Sequence, residues 1–191
     1  MAMYEETLPN REEVLFNVNF LREEFKERLK YEPAAVDLDL DGIVKALGGE
    51  ITSGGIDDQA QLEKVGDKEF KIILSNKYPQ FNRNFTIAHE LGHLLMDWGY
   101  LKGDYDWVCI NPSAIMCLPQ EGRSVDQNIA SESAANFFAF EVVMPNDLFK
   151  TVVEKYTESG KFKFDKIADY FKCSVSLVLR RGKDLNIWEV A

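Results

Sequence analysis

The chain predicts an α+β domain, mostly helical, with a small antiparallel sheet beside one central helix and a helical pair at the C-terminal end. Three observations carry this reading. Apolar residues recur at steps of three and four through much of the 191 residues, which is helical periodicity. Two neighbouring stretches, 59–65 and 68–75, read instead as strands joined by Gly66–Asp67, a hairpin signal. Both histidines of the chain lie in one further helical stretch, residues 81–98.

The elements follow in order. Residues 1–10 form a lead-in ending at Pro9–Asn10. From Arg11 to Lys30, Val14, Val18, Leu21, Phe25 and Leu29 form an apolar stripe, with Asn10 as a candidate N-cap. The stripe fits packing on the domain body better than docking to a partner. Pro33 breaks the helix. Asp37 or Asp39 can cap a second helix through Ile43, Val44 and Leu47, stopped by Gly48–Gly49. Residues 50–53 read as a short strand, and the 59–75 hairpin follows. Phe70, Ile72 and Leu74 alternate and give its second strand a buried face.

Tyr78–Pro79 leads into the central helix, ended by Gly99. Residues 100–124, with Trp107, Cys109, Met116, Cys117 and two prolines, form a long loop of the kind that walls a cleft. Residues 126–143 form a strong helix stopped by Pro145. Asn146 can cap the next one, through Leu148, Val152, Val153 and Tyr156 to Gly160. Two short helices, 164–171 and 175–185, complete the chain. We therefore divide it into an N-terminal helical extension (1–32), a core (33–145) and a C-terminal helical segment packed on that core (146–191), one compact domain in all.

Composition bounds the function. A hydrophobic fraction of 46% and a charged fraction of 28% are those of a soluble globular protein. No apolar run reaches the roughly 20 residues of a membrane-spanning helix. The acidic start Met1–Glu6 lacks the basic and apolar regions of a signal peptide, so a cytoplasmic location is expected. Cys109, Cys117 and Cys173 are odd in number and lack Cys-x-x-Cys spacing, which argues against a disulfide framework or a cysteine-rich zinc site. Eight residues is likewise not a usual ligand spacing for Cys109 and Cys117. The net charge of −10 argues against general nucleic-acid affinity. Residues 145–191 carry nine Lys/Arg against seven Asp/Glu, leaving −12 on the first 144. That mild excess is a hint of a basic end rather than a nucleic-acid signal.

The chemistry is concentrated in His89-Glu90-Leu91-Gly92-His93. Residues four apart on a helix share a face, so His89 and His93 can aim two imidazoles at one metal ion. Glu90, about 100° from His89 and about 60° from His93 around the axis, can overhang the same point without being a ligand. A zinc hydrolase needs such a set: two neutral nitrogen ligands and a carboxylate beside the attacking water. The alternative is a helix with two incidental surface histidines. Two randomly placed histidines would stand four apart in about one case in a hundred, before a following Glu is required.

Zinc needs a third protein ligand. No other histidine exists, so it must be a carboxylate or a cysteine. Glu132 is the best candidate, on the helix after the long loop, where Ala134 and Ala135 would permit close approach to the central helix. Its other reading is an ordinary solvated carboxylate, and spacing alone does not choose between them. Asn136, one turn on, could orient a ligand from behind.

Phe85-Thr86-Ile87-Ala88-His89-Glu90-Leu91-Gly92-His93, then Glu132-x-x-Ala135-Asn136-x-Phe138-Ala139 and Val143-Met144-Pro145, resemble the ImmA/IrrE family of metallopeptidases. The likeness covers residues 35–185, including the helix before the strands and the C-terminal helical pair. It implies a zincin-like fold, zinc on His89, His93 and Glu132, and Glu90 as general base. It also implies an intracellular regulator of mobile elements or stress responses, acting by cleaving a helix-turn-helix repressor. Two departures touch substrate identity. Asn84 stands where members often have Arg, with Arg83 one step earlier, and the loop between the motifs is long.

On the implied mechanism, Glu90 accepts a proton from water as it attacks a peptide carbonyl, and passes it to the leaving amine. A strand of the 59–75 hairpin could hold the substrate by edge pairing. Two competing readings remain. One is a zinc-containing binding protein that engages a repressor or toxin without cutting it. The other is DNA contact through residues 165–183, with Arg180, Arg181 and Lys183 at the edge.

Overall fold

In the computed structural model, the residues described are 11–55, 60–66, 68–76, 80–98, 100 and 125–188. The lead-in with its Asn10 cap, Cys109, Cys117 and the wall expected of residues 101–124 lie outside them.

α1 (Arg11–Glu24) buries Val14, Val18 and Leu21 as its stripe requires. It ends at Glu24, short of the expected Lys30. Leu29–Tyr31 (β1) instead pairs antiparallel with Val36–Leu38 (β2). Alternation is the reason: Leu29 on β1 and Val36 and Leu38 on β2 are buried, while Lys30 and Asp37 are exposed, so this segment serves a sheet face as well as a helix stripe. Asp39 caps α2 (Leu40–Ala46), accepting from the Gly42 N–H at 2.9 Å.

β3 (Gly49–Gly55), β4 (Gln61–Gly66) and β5 (Glu69–Ser75) form the central sheet in the order β3-β5-β4. β4 and β5 make the expected antiparallel hairpin. β3, however, runs parallel to β5, from Gly49 opposite Phe70 to Ser53 opposite Leu74. The sheet is therefore mixed rather than wholly antiparallel. α3 packs against it at β4.

A single 3-10 turn (Gln80–Asn82) opens α3 (Arg83–Met96). Its main packing partner is α4 (Val125–Val143). Ile87, Ala88, Leu91 and Leu94 from α3 and Ala135, Phe138, Ala139 and Val142 from α4 are fully buried. Gly92 makes the close approach possible: a Cβ there would stand 3.2 Å from the Ala135 Cα and 3.3 Å from the Phe138 ring. α1 packs on both helices of this pair.

α5 (Asn146–Lys155) starts after Pro145 rather than on an Asn146 cap. The Pro145 carbonyl accepts from the Phe149 N–H at 2.8 Å, and Asn146 Oδ1 is buried without a partner. The helix ends at Lys155, before the expected Gly160. Thr157–Glu158 (β6) and Lys161–Phe162 (β7) form a tight hairpin. Ser159 and Gly160 both have positive φ, 51° and 74°, which is the type I′ geometry a two-residue hairpin loop prefers.

α6 (Phe164–Phe171) and α7 (Val175–Asp184) are the expected helical pair, with Ser174 capping α7 through the Leu177 N–H. Arg181, 1% exposed, fastens α7 to α4 through Glu141 Oε1 at 2.5 Å and the Met144 carbonyl at 3.2 Å. From α1, Arg22 bonds the Glu141 carbonyl at 2.5 Å. One continuous core runs from Val14 to Val178.

Candidate metal centre

The site lies where α3 and α4 face one another. α3 brings His89, Glu90 and His93. α4 brings Ser131 and Glu132, just before Ala135 meets Gly92. The close approach of the two helices is therefore what places the Glu132 carboxylate over the histidine pair.

His89 Nε2 and His93 Nε2 stand 3.1 Å apart. Glu132 Oε2 lies 3.4 Å from the first and Glu132 Oε1 3.4 Å from the second. Ligands about 2.0–2.2 Å from a tetrahedral zinc stand about 3.3–3.6 Å from one another; both His–Glu separations fall in that range, the His–His separation lies just below it, and the donor types suit such an ion. Among the described residues, His89, His93 and Glu132 are the group of His, Cys, Asp and Glu side chains that could hold a metal. Cys173 is buried elsewhere, its thiol pushed up to about 12 by burial.

The histidines and carboxylates of the site shift one another's titration. Hydrogen bonds from His89 and His93 hold the Glu132 carboxyl well below the usual range. Burial works against a charge on His93, but its bonds to Asp97 and Glu132 outweigh this and raise its pKa to about 10.

Glu90 is 3% exposed. Burial raises its pKa, against the opposing pull of His89 and His93. Its Oε2 is buried with no hydrogen-bond partner. A carboxylate oxygen left unsatisfied in a dry pocket is costly; beside the two imidazoles it has a chemical use.

Two residues that the sequence reading did not single out complete the centre. Asp97 Oδ2 lies 2.6 Å from His93 Nδ1, and Ser131 Oγ donates to the same oxygen at 2.5 Å. The His93-x-x-x-Asp97 spacing and the position of Ser131 beside Glu132 were the available signals. Asn136 is half-buried on α4, and the bonds to His93 from outside the donor set come from Asp97 and Ser131.

The C-terminal pair presents less basic surface than its sequence suggested. Arg181 is buried on Glu141, leaving Arg180 and Lys183 exposed, and Arg180 lies over the Phe140 ring at 5.4 Å. No helix of the described residues is long and apolar enough to cross a membrane.

Comparison with known proteins adds three findings. No curated protein matches the sequence. A solved structure described as a Mycobacterium tuberculosis transcriptional regulator is similar in fold, with a TM-score of 0.54 and 17% identity. The match covers 93% of this chain but 48% of the regulator, so the chain spans about half of that protein's length. Finally, the family profile described as the IrrE N-terminal-like domain matches residues 54–183, which include every residue of the centre. The chain therefore belongs to the IrrE N-terminal-like, or ImmA/IrrE, family.

Proposed function

We propose that the chain is a zinc-dependent peptidase that cleaves a DNA-binding repressor within a regulatory switch. The observation that carries the reading is the convergence of His89, His93 and Glu132 donors beside a buried Glu90 carboxylate with an unpartnered oxygen.

In this reading His89, His93 and Glu132 hold the zinc, which when bound supplies a Lewis acid able to make water a nucleophile near neutral pH. Glu90 Oε2 takes the proton from the attacking water. The raised pKa of Glu90 suits it to hold that proton and then give it to the leaving amine. Its burial, at 3% exposure, keeps Glu90 dry, which strengthens its interactions with the reacting atoms. Asn136, one turn from Glu132, is a further candidate to orient the cluster. In this reading β4, the edge strand of the sheet that meets α3, would pair with an extended peptide.

The repressor substrate is supported by family membership and by the description of the structural relative as a transcriptional regulator. We further propose a cytoplasmic location, and the same three-part organisation (1–32, 33–145, 146–191) around a single core.

The test is to incubate the zinc-loaded chain with repressors encoded beside its gene and look for fragments. The wild type is expected to cut one of them. Glu90→Gln is expected to retain zinc and lose about 10²–10⁴-fold in rate. Tight binding of a repressor by the zinc-loaded wild type without cleavage would favour a non-cleaving regulator instead.

A further inference from the structure

We propose that Asp97 and Ser131 are positioning residues that fix His93 in the tautomer and orientation needed to offer Nε2 to the metal. The proposal rests on the reading of His93 as a zinc ligand.

The chain of contacts runs outward from the site. His93 has two ring nitrogens, and only one can be a donor to the ion. Nε2 is the nitrogen that faces His89 and Glu132. Nδ1 faces Asp97 Oδ2 at 2.6 Å. A carboxylate accepts only, so in the neutral ring that binds a metal Nδ1 carries the proton and the Nε2 lone pair is left for the ion. Ser131 Oγ then donates to Asp97 Oδ2 at 2.5 Å, which fixes the carboxylate as the carboxylate fixes the ring.

Two features mark Asp97 as more than a helix residue. It is the C-cap of α3, with its N–H bonded to the His93 carbonyl at 2.9 Å. A negative charge at a helix C-terminus opposes the macrodipole, so helix stability alone does not favour Asp there. Its side chain is also largely enclosed, at 17% exposure, so its charge is partly desolvated, and His93 and Ser131 are among the groups that compensate it.

Ser131 adds a link between elements. It sits immediately before Glu132 on α4, so one short network joins a ligand of α3 to the helix that supplies the third ligand. A slip of α4 would break the Ser131–Asp97 bond and displace Glu132 together. The network thus couples the orientation of His93 to the placement of Glu132.

The test compares full-length wild type with Asp97→Ala, Asp97→Asn and Ser131→Ala. Zinc affinity is read by competition with a chromophoric chelator, the His93 tautomer by imidazole ¹⁵N–¹H correlation spectra of the zinc-loaded protein, and the bonded Nδ1–H resonance by the same spectra of both forms, simple to assign with two histidines. Urea unfolding of the metal-free proteins is measured alongside. Asp97→Ala is expected to lower zinc affinity about 10–100-fold and to abolish the bonded Nδ1–H resonance. Asp97→Asn keeps an acceptor oxygen and should recover part of both. Ser131→Ala should fall between Asp97→Asn and wild type.

A merely structural role would lower the urea midpoint and leave affinity and tautomer unchanged. Zinc affinity of Asp97→Ala within about twofold of wild type, with the same imidazole signal, would overturn the proposal. If the wild type takes up no zinc, the ligand reading of His93 fails separately. The metal-free spectrum still decides the role of Asp97 through the presence or loss of the Nδ1–H resonance.

Discussion

Replacing Gly92 by Val probes the contact on which the whole centre depends. A Cβ at position 92 would meet the Ala135 Cα at 3.2 Å and two Phe138 atoms at 3.3 and 3.4 Å. Carbon atoms prefer about 3.5–4.0 Å, so even one methyl asks the helices to part by several tenths of an ångström. The atom at 3.2 Å is backbone and cannot rotate away. Valine adds two further methyl groups on the same face. Overpacking of this kind costs about 1–3 kcal/mol, and the helix-propensity gain over glycine offsets only a few tenths.

The functional effect should exceed the loss of stability. Glu132 lies three residues before Ala135 and must keep its oxygens 3.4 Å from both imidazoles. Sites of this kind tolerate displacements of about 0.5 Å. We expect Gly92→Val to lower the urea midpoint of the metal-free protein by an amount equivalent to about 1–3 kcal/mol and to weaken zinc binding at least tenfold. Gly92→Ala should be milder, since its gain in propensity of about 1 kcal/mol opposes a smaller clash. A Gly92→Val protein with wild-type stability and wild-type zinc affinity would refute the claim that close packing of α3 on α4 places the third ligand.

Three further outcomes are expected. Glu141→Ala strands Arg181, whose side chain is 1% exposed, and should cost about 3–5 kcal/mol by urea unfolding, whereas Glu141→Leu with Arg181→Met should cost much less; equal losses would contradict this. Zinc binding should compete with the proton on His93. That pKa is raised to about 10, so in the metal-free protein the protonated ring contributes stability fully present below about pH 6.5 and lost as pH rises through about 10. Zinc affinity should accordingly rise with pH across that window, with release of about one proton per ion by calorimetry in buffers of different ionisation enthalpy; binding without proton release would contradict it. Gly182→Ala should unfold at lower urea, by about 1–3 kcal/mol, because its Cβ would fall 1.9 Å from the Trp188 ring, which is wedged against Phe149, Phe162 and Phe164; an unchanged midpoint would contradict that packing.

How much of this was readable in the chain depends on whether a signal was local. His89, Glu90 and His93 are fixed by one turn of helix, and α3 delivers them as the spacing requires. Glu132 needed a tertiary contact to join them, and no local pattern reports that α4 crosses α3 at Gly92. The family resemblance supplied what spacing could not. Asp97 and Ser131 escaped because a carboxylate at a helix end and a serine on a helix are unremarkable until both meet one imidazole. The 29–38 hairpin was obscured because Leu29 also satisfies the helical stripe of α1, and the pairing of β1 with β2 decided the outcome. The parallel placement of β3 beside β5 is a matter of topology, which strand composition does not encode. Arg181 looked like a basic surface group, and only its burial on Glu141 revealed it as a tie between helices.

The central claim is a three-ligand zinc site on α3 and α4, and metal content by elemental analysis tests it most directly. Wild type, His93→Ala and Glu132→Ala would be purified identically and analysed beside a check of folding. The account predicts about one zinc per wild-type chain and loss of the ion in both variants. A folded wild type that holds no zinc even after the metal is supplied, or a Glu132→Ala protein that retains it fully, would contradict it.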